Sequence, residues 1–332
     1  MERDDEYRFT AGEDDSGKRL DRVLRRGLPG AGLSAIFSLI RRGLVRVNGS
    51  RAPSGYRVAP GDEIEVRGAP AGSSRPAERR SRPGTPGLPL RIVYEDERVL
   101  AIDKPRGRPV HGPGGLDADV IAYLEGGIPP SVSFRPGPCH RLDKGTTGAL
   151  LFAKSLAGAR AAHEAFSSSR VVKAYVALVD GDLEKSEHWI DSLARLRNEG
   201  RSVRSDSAGK KAETFASPVR RSGEATLAVM RITTGRNHQI RAQSAERGHP
   251  LSGDAKYGGS AREGGFILHC AFLGFRDGVL PRVVSAALPE DSAAALDEAF
   301  GPGAAAEAMA EAERFGAIEW DCTGRRCRRP AA

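Results

Sequence analysis

The chain reads as an α+β protein, a largely antiparallel mixed sheet with scattered helices over residues 90–300, preceded by a small α/β module over residues 17–67. Three observations predict this. Short apolar runs of strand length, bounded by turn residues, recur through the longer segment, and helical periodicity surfaces only at intervals. The shorter segment carries two amphipathic helical patterns followed by the alternating Val45 and Val47 and the tight-turn pair Asn48-Gly49. Between the two, residues 68–89 read GAPAGSSRPAERRSRPGTPGLP, without apolar periodicity and dense in Gly, Pro, Ser and Arg, which marks a flexible basic linker. A chain of 332 residues has room for a large core and one small module.

Residues 1–16 are acidic and polar at their start and are expected to lack structure. A first helix follows over Arg19–Arg26, with Leu20, Val23 and Leu24 on one face and basic groups on the other. A second starts at Ser34 as N-cap, buries Ile36, Phe37, Leu39 and Ile40, places Arg41 and Arg42 in its last turn and stops at Gly43. Ile64 and Val66 mark a later strand after Pro60-Gly61. In the second segment strands are predicted at 91–94, 99–103, 148–154, 172–179, 213–218, 225–232, 266–275 and 282–287, and helices at 117–125, 156–166 and 237–247. Residues 301–332 form an Ala/Glu-rich helix and a basic tail with Arg325, Arg326, Arg328 and Arg329.

The formal charge is +8, and it is concentrated. Between Ser16 and Arg57 lie Lys18, Arg19, Arg22, Arg25, Arg26, Arg41, Arg42, Arg46, Arg51 and Arg57 against the single acid Asp21. A one-sign patch of this kind suits polyphosphate, because each neutralised phosphate releases condensed counterions. Nucleic acid is therefore the expected partner. No basic-then-apolar leader and no bilayer-length apolar run is present, so a cytoplasmic location without membrane attachment is expected. The four cysteines make no disulfide framework, and the pair Cys322 and Cys327 lacks two further ligands, so no metal is expected. Neither a P-loop nor a dinucleotide fingerprint occurs; Gly112-Pro113-Gly114-Gly115 reads as a loop.

The stretch Pro138-Cys139-His140-Arg141-Leu142-Asp143-Lys144-Gly145-Thr146-Thr147-Gly148 runs into the apolar strand Ala149–Ala153 and places a carboxylate in a turn held by a rigid element. It resembles the H-R-L-D-x-x-T-S-G motif of the RluA-type pseudouridine synthases, with Thr147 where that family usually has Ser. Further words of the same family follow in order: Val99–Pro105 with Val110-His111-Gly112, Lys173-Ala174-Tyr175-Val176-Ala177, Thr234–Arg241, Gly248–Asp254 with Tyr257-Gly258, and Leu268–Ala271. The module over 17–67, with Arg19–Leu24 and Leu33–Gly49, is similar to an S4 RNA-binding domain.

These resemblances imply a pseudouridine synthase fold and the isomerisation of uridine to pseudouridine, which consumes no oxidant, group donor or cofactor. They imply Asp143 as the essential carboxylate, Arg241 as its ion-pair partner, and Tyr175 as the residue near the base that receives the C5 proton directly or through water. Arg236 is the alternative partner of Asp143. Arg141 would fill the space left by the flipped base, and Leu268 would pack on the uracil. Lys18, Arg19, Arg22, Arg41, Arg42 and Arg46 are the candidate RNA contacts of the S4-like module. His140 and His238 are expected to order their turns rather than carry protons. Ribosomal RNA of the large subunit is the favoured substrate and transfer RNA the second, and the family default is a monomer. A catalytically silent RNA-binding assembly factor is the competing reading, opposed by an intact Asp143, Tyr175 and Arg241.

Overall fold

In the computed structural model, residues 6–69, 89–128, 131–168, 170–196, 198–205, 207, 209–276, 278 and 280–317 are described. The body of the basic linker (70–88) and the basic tail with Cys322 and Cys327 lie outside them. The chain forms two compact units, one of Met1–Pro89, Asp117–Gly137 and Ala153–Ala159, the other of Leu90–Leu116, Pro138–Phe152 and Arg160–Ala332.

The first unit begins with β1 (Tyr7–Thr10), which corrects the expectation of an unstructured N-terminus. Tyr7 and Phe9 alternate with polar residues, and β1 pairs antiparallel with a later strand, β4, as Tyr7↔Val66 and Phe9↔Ile64. Then follow α1 (Leu20–Gly27), α2 (Leu33–Arg41), β2 (Val45–Val47), β3 (Ser50–Arg51) and β4 (Glu63–Val66). They give a four-stranded sheet in the order β1-β4-β2-β3. Asn48 and Gly49 both have positive φ, as the tight turn between β2 and β3 requires. The core joins Leu20, Val23 and Leu24 of α1 to Ile36, Leu39 and Ile40 of α2 and to Val45, Val47, Ile64 and Val66 of the sheet. Two details differ from expectation. The N-cap of α2 is Gly32, one residue before the helix takes in Leu33, and Phe37 is only half-buried.

Asp15 is fully buried in this unit and is held by hydrogen bonds from the backbone amides of Gly12 (3.0 Å), Val132 (2.8 Å) and Ser133 (2.9 Å) and from the Ser133 hydroxyl. Lys18 Nζ donates to Ser133 Oγ at 2.6 Å. Burial works against the Asp15 carboxylate, but these donors hold its pKa below the ordinary value. The module is thus tied to residues 131–133, which sequence order alone assigns elsewhere.

The remaining elements are β5 (Ile92–Glu95), β6 (Val99–Lys104), α3 (Leu116–Leu124), β7 (Gly137–Pro138), β8 (Thr147–Ala153), α4 (Leu156–Ser167), β9 (Val171–Asp180), β10 (Glu187–Leu196), β11 (Arg201–Arg204), β12 (Lys210–Arg221), β13 (Ala225–Ile232), α5 (Gln239–Glu246), β14 (Leu268–Phe275), β15 (Val283–Ser285), α6 (Glu290–Phe300) and α7 (Ala304–Ala317). Among the described residues they build one large sheet in the order β11-β10-β12-β13-β9-β14-β8-β6-β5, with β7 on β8 and β15 on β14. Pairing is antiparallel from β11 through β14, whereas β14 and β8 are parallel. One face of β9, β13 and β14 packs on α7 through Ala304, Ala305, Ala308 and Ala312, small residues that let the helix approach closely. Gly148 has φ +107°, and a Cβ there would stand 2.3 Å from the Cys270 carbonyl oxygen; only glycine lets β8 join β14 at this point. No helix among the described residues is long and apolar enough to cross a membrane.

Candidate active site

Asp143 sits in the turn that precedes β8. Leu142 is buried beneath it, and the Thr146 amide donates to the Asp143 carbonyl at 3.1 Å. Lys104, wholly buried at the end of β6, closes the turn from behind, its Nζ donating to the carbonyls of Pro105 (3.0 Å), Lys144 (3.1 Å) and Thr146 (2.7 Å). Burial lowers the Lys104 pKa to about 8, while the nearby Asp143 charge favours the ammonium. Thr147, the departure from the usual Ser, donates its hydroxyl to His269 Nδ1 at 2.9 Å; the other ring nitrogen, Nε2, donates to the Ala286 carbonyl, also at 2.9 Å. Since a carbonyl only accepts, Nε2 carries the hydrogen and the imidazole is neutral, in line with a pKa that burial lowers to about 4.

The Asp143 carboxylate faces a cavity of about 350 Å³. Arg241 on α5 reaches it from the other side, with Nη1 3.2 Å from Asp143 Oδ2. The guanidinium is held almost immobile. Its Nε and Nη2 form a bidentate pair with buried Asp254 at 2.6 and 2.7 Å, and its plane lies between the rings of Phe266 (4.7 Å) and Tyr257 (5.1 Å). Burial opposes its charge, yet the two carboxylates raise its pKa above the ordinary value. His238 takes a left-handed conformation (φ 50°) at the start of α5, bonds Tyr257 through Nδ1 at 3.0 Å and leaves Nε2 3.8 Å from Asp143 Oδ2. Burial holds this imidazole below its usual pKa against the pull of Asp143.

Tyr175 and Lys173 enter the same cavity from β9, two residues apart on one face of the strand. Burial, reinforced by the adjacent Cys270, drives the Tyr175 phenol well above its ordinary pKa, so it stays protonated at neutral pH. The thiols of Cys139 and Cys270 are pushed up to about 12 by burial and are unreactive. Arg141, Arg236 and Leu268 complete the wall; Arg236 Nε donates to the Lys211 carbonyl at 2.8 Å and forms no pair with Asp143. His140 Nε2 accepts the Leu151 amide at 3.1 Å and thereby fastens the motif to β8.

The fold thus brings together Asp143, Tyr175, Arg241, Arg141, Arg236 and Leu268 from four separate stretches of sequence. Lys18, Arg19, Arg22, Arg41, Arg42 and Arg46 belong to the first unit and are not part of this cavity. Sequence reasoning missed Asp254, Tyr257 and Phe266 as the clamp on Arg241, although the Gly248–Asp254 and Tyr257-Gly258 words were visible. It also missed Lys173 as a cavity residue beside Tyr175. Among the described residues no cluster of His, Cys, Asp and Glu could hold a metal ion.

Residues 98–246 match the family model described as RNA pseudouridylate synthase, and residues 18–64 match the S4 domain. Ribosomal large subunit pseudouridine synthase C of Salmonella typhi is 35% identical over 254 residues, which cover 74% of this chain and 77% of that protein. This chain belongs to the RNA pseudouridylate synthase family. The synthase C of Haemophilus influenzae is 36% identical over 260 residues, 75% and 78% of the two chains. Among solved structures of the family, human RNA pseudouridylate synthase domain containing 1 superposes with a TM-score of 0.52 at 26% identity, over 65% of this chain and 91% of that one. The pseudouridylate synthase match spans the Asp143 turn, β9 and α5, the three elements that define the cavity.

Proposed function

We propose that this enzyme isomerises specific uridines of large-subunit ribosomal RNA to pseudouridine, with Asp143 as the group that acts at the sugar. The observation that carries the reading is the carboxylate of Asp143 paired with the clamped Arg241 on the wall of a cavity that Tyr175 also lines. The clamped cation sets a fixed positive charge 3.2 Å from the carboxylate oxygen and holds that oxygen in place at the cavity wall. The ribosomal assignment rests on the names of the curated relatives and on the S4 domain.

The target nucleotide enters the cavity out of its stack, because neither C1′ nor C5 is reachable inside a helix. Asp143 acts at the sugar as the C1′–N1 bond breaks, and the bonding pair departs with the uracil. The base turns and C5 bonds to C1′. C5 then gives up its proton and N1 takes one, so the reaction balances without a donor. Because the Tyr175 phenol remains protonated, it serves as a relay through its oxygen and a water molecule rather than as a phenolate base. Exposed Arg141 stands at the cavity wall where the vacated stack needs a filler, and Leu268 offers the uracil an apolar face. Arg22, Arg41, Arg42 and Arg46 of the S4 domain grip the RNA backbone.

Pseudouridine mapping of ribosomal and transfer RNA in cells lacking the protein, complemented with the intact chain or with Asp143→Ala, tests this. Specific large-subunit sites should vanish and return only with the intact chain. Sites lost from transfer RNA alone would reassign the substrate, and an unchanged map would refute the activity on these RNAs.

A further inference from the structure

Lys173 is a charged cavity residue whose burial the mechanism above leaves unexplained. Only 8% of the residue is exposed, and it lines the same cavity as Asp143 and Tyr175. Among the described residues no carboxylate pairs with it: its ammonium lies 5.6 Å from the centroid of the Phe166 ring, beside Gly235, where a Cβ would come within 3.2 Å of Nζ. The charged and titratable groups that face it are Arg236 from the loop before α5, Cys270 on β14, His140 in the motif turn and Tyr175 on its own strand. Arg236 is a second cation and adds repulsion. An ammonium withdrawn from water without a counter-ion costs several kcal/mol. Such a cost is offset when an anion arrives with the substrate or forms from it.

We infer that Lys173 is a catalytic residue whose ammonium stabilises the negative charge that develops on the uracil carbonyl oxygens when the C1′–N1 bond breaks. This inference rests on the isomerase reading of the cavity. The electron pair of the broken bond leaves with the base, which becomes an anion delocalised over N1, O2 and O4. A fixed cation in a site of low polarity favours that species far more than it favours neutral uridine, so it acts on turnover and little on binding. The charge disappears from the base when C5 bonds C1′ and the proton passes from C5 to N1, and Lys173 ends as it began. Burial lowers its pKa to about 8, so the ammonium persists at neutral pH and is lost above about pH 8. Of the other groups, Tyr175, Cys139 and Cys270 titrate far higher and His140 near 3; Lys104 also titrates near 8 but is bound to three carbonyls behind the turn.

The test compares Lys173→Met and Lys173→Arg with the intact enzyme and with Asp143→Asn, measuring kcat across pH, RNA affinity and its salt dependence on the full chain. Lys173→Met should lower kcat about 100-fold with RNA affinity unchanged and should erase the alkaline decline near pH 8 even though Lys104 is still present. Lys173→Arg, charged at all pH, should regain part of the rate and show no such decline. An unchanged kcat would overturn the inference. So would a loss confined to RNA affinity with a shallower salt slope, which would assign the cation to a backbone phosphate. Should the variants fail to fold, an intact enzyme with no decline near pH 8 overturns it equally. Full turnover by Asp143→Asn would instead overturn the role given to Asp143, and an intact enzyme that forms no pseudouridine would overturn the isomerase reading itself.

Discussion

The protein uses its cations in two opposite ways. In the cavity, Arg241 is 7% exposed and fixed by a bidentate carboxylate and two aromatic rings, and Lys104 is sealed behind three carbonyls. In the S4 domain, Arg22, Arg25, Arg26, Arg41 and Arg42 lie exposed on α1 and at the end of α2, with no carboxylate partner among the described residues. Arg19 is an intermediate case, exposed but paired with Asp21 at 2.9 Å. A pinned cation works at one atom and does so by position, at a large cost in desolvation. Free cations contribute affinity that is spread over many phosphates and screened by salt. On the proposed reading identical residue types carry chemistry in one unit and adhesion in the other, and what separates them physically is burial with fixed partners.

This contrast breaks first at Asp143. Asp143→Asn should cut turnover by about 10⁴-fold or more while RNA affinity stays within a few-fold, as single-turnover assays and filter binding would show. Next comes the clamp: Asp254→Asn leaves Arg241 between its rings but loosens its plane, and a misplacement of that order costs about 100-fold in kcat. A fall in RNA affinity instead of kcat would place Arg241 with the adhesive cations. A third effect sharpens the view of the motif turn. The unfolded chain binds a proton at His269 below about pH 6.5, which the folded chain refuses until about pH 4, so acidification through that window removes stability. Urea unfolding should show about 2 kcal/mol lost between pH 7 and pH 5 from this group, a slope that His269→Gln flattens. The smallest effects belong to the S4 surface. Arg22→Ala or Arg41→Ala should weaken RNA binding less than about 10-fold, lower the salt slope by about one unit each and leave kcat untouched.

The parts legible in the sequence are those whose signal is local. The tight turn at Asn48-Gly49, the stripe on α1 and the strand Ala225–Ile232 follow from turn chemistry and periodicity within a few residues. β10 was missed because its inward positions are Trp189, Asp191 and Leu193, and the buried Asp191, paired with Arg247 at 3.0 Å, breaks the apolar alternation that marks a strand. β1 was overlooked because four residues beside an acidic start give little pattern until β4 supplies a partner. Within the site, Asp143, Tyr175 and Arg241 stood out through family motifs. Asp254 and Lys173 gained meaning only once the fold showed that one grips Arg241 and the other has no carboxylate partner.

Asp15 carries a consequence for how the protein is made. Its amide donors at Val132 and Ser133 lie 117 and 118 residues downstream, so the ribosome has added more than a third of the chain before they emerge. Until then the nascent first unit holds a carboxylate that lacks most of its native donors, and its final stability waits on a distant ring closure. A fragment that stops short of residue 132 should therefore yield a looser domain than the same residues in the full chain, and the order of synthesis, not only the order of the sequence, sets when the RNA-gripping end becomes firm.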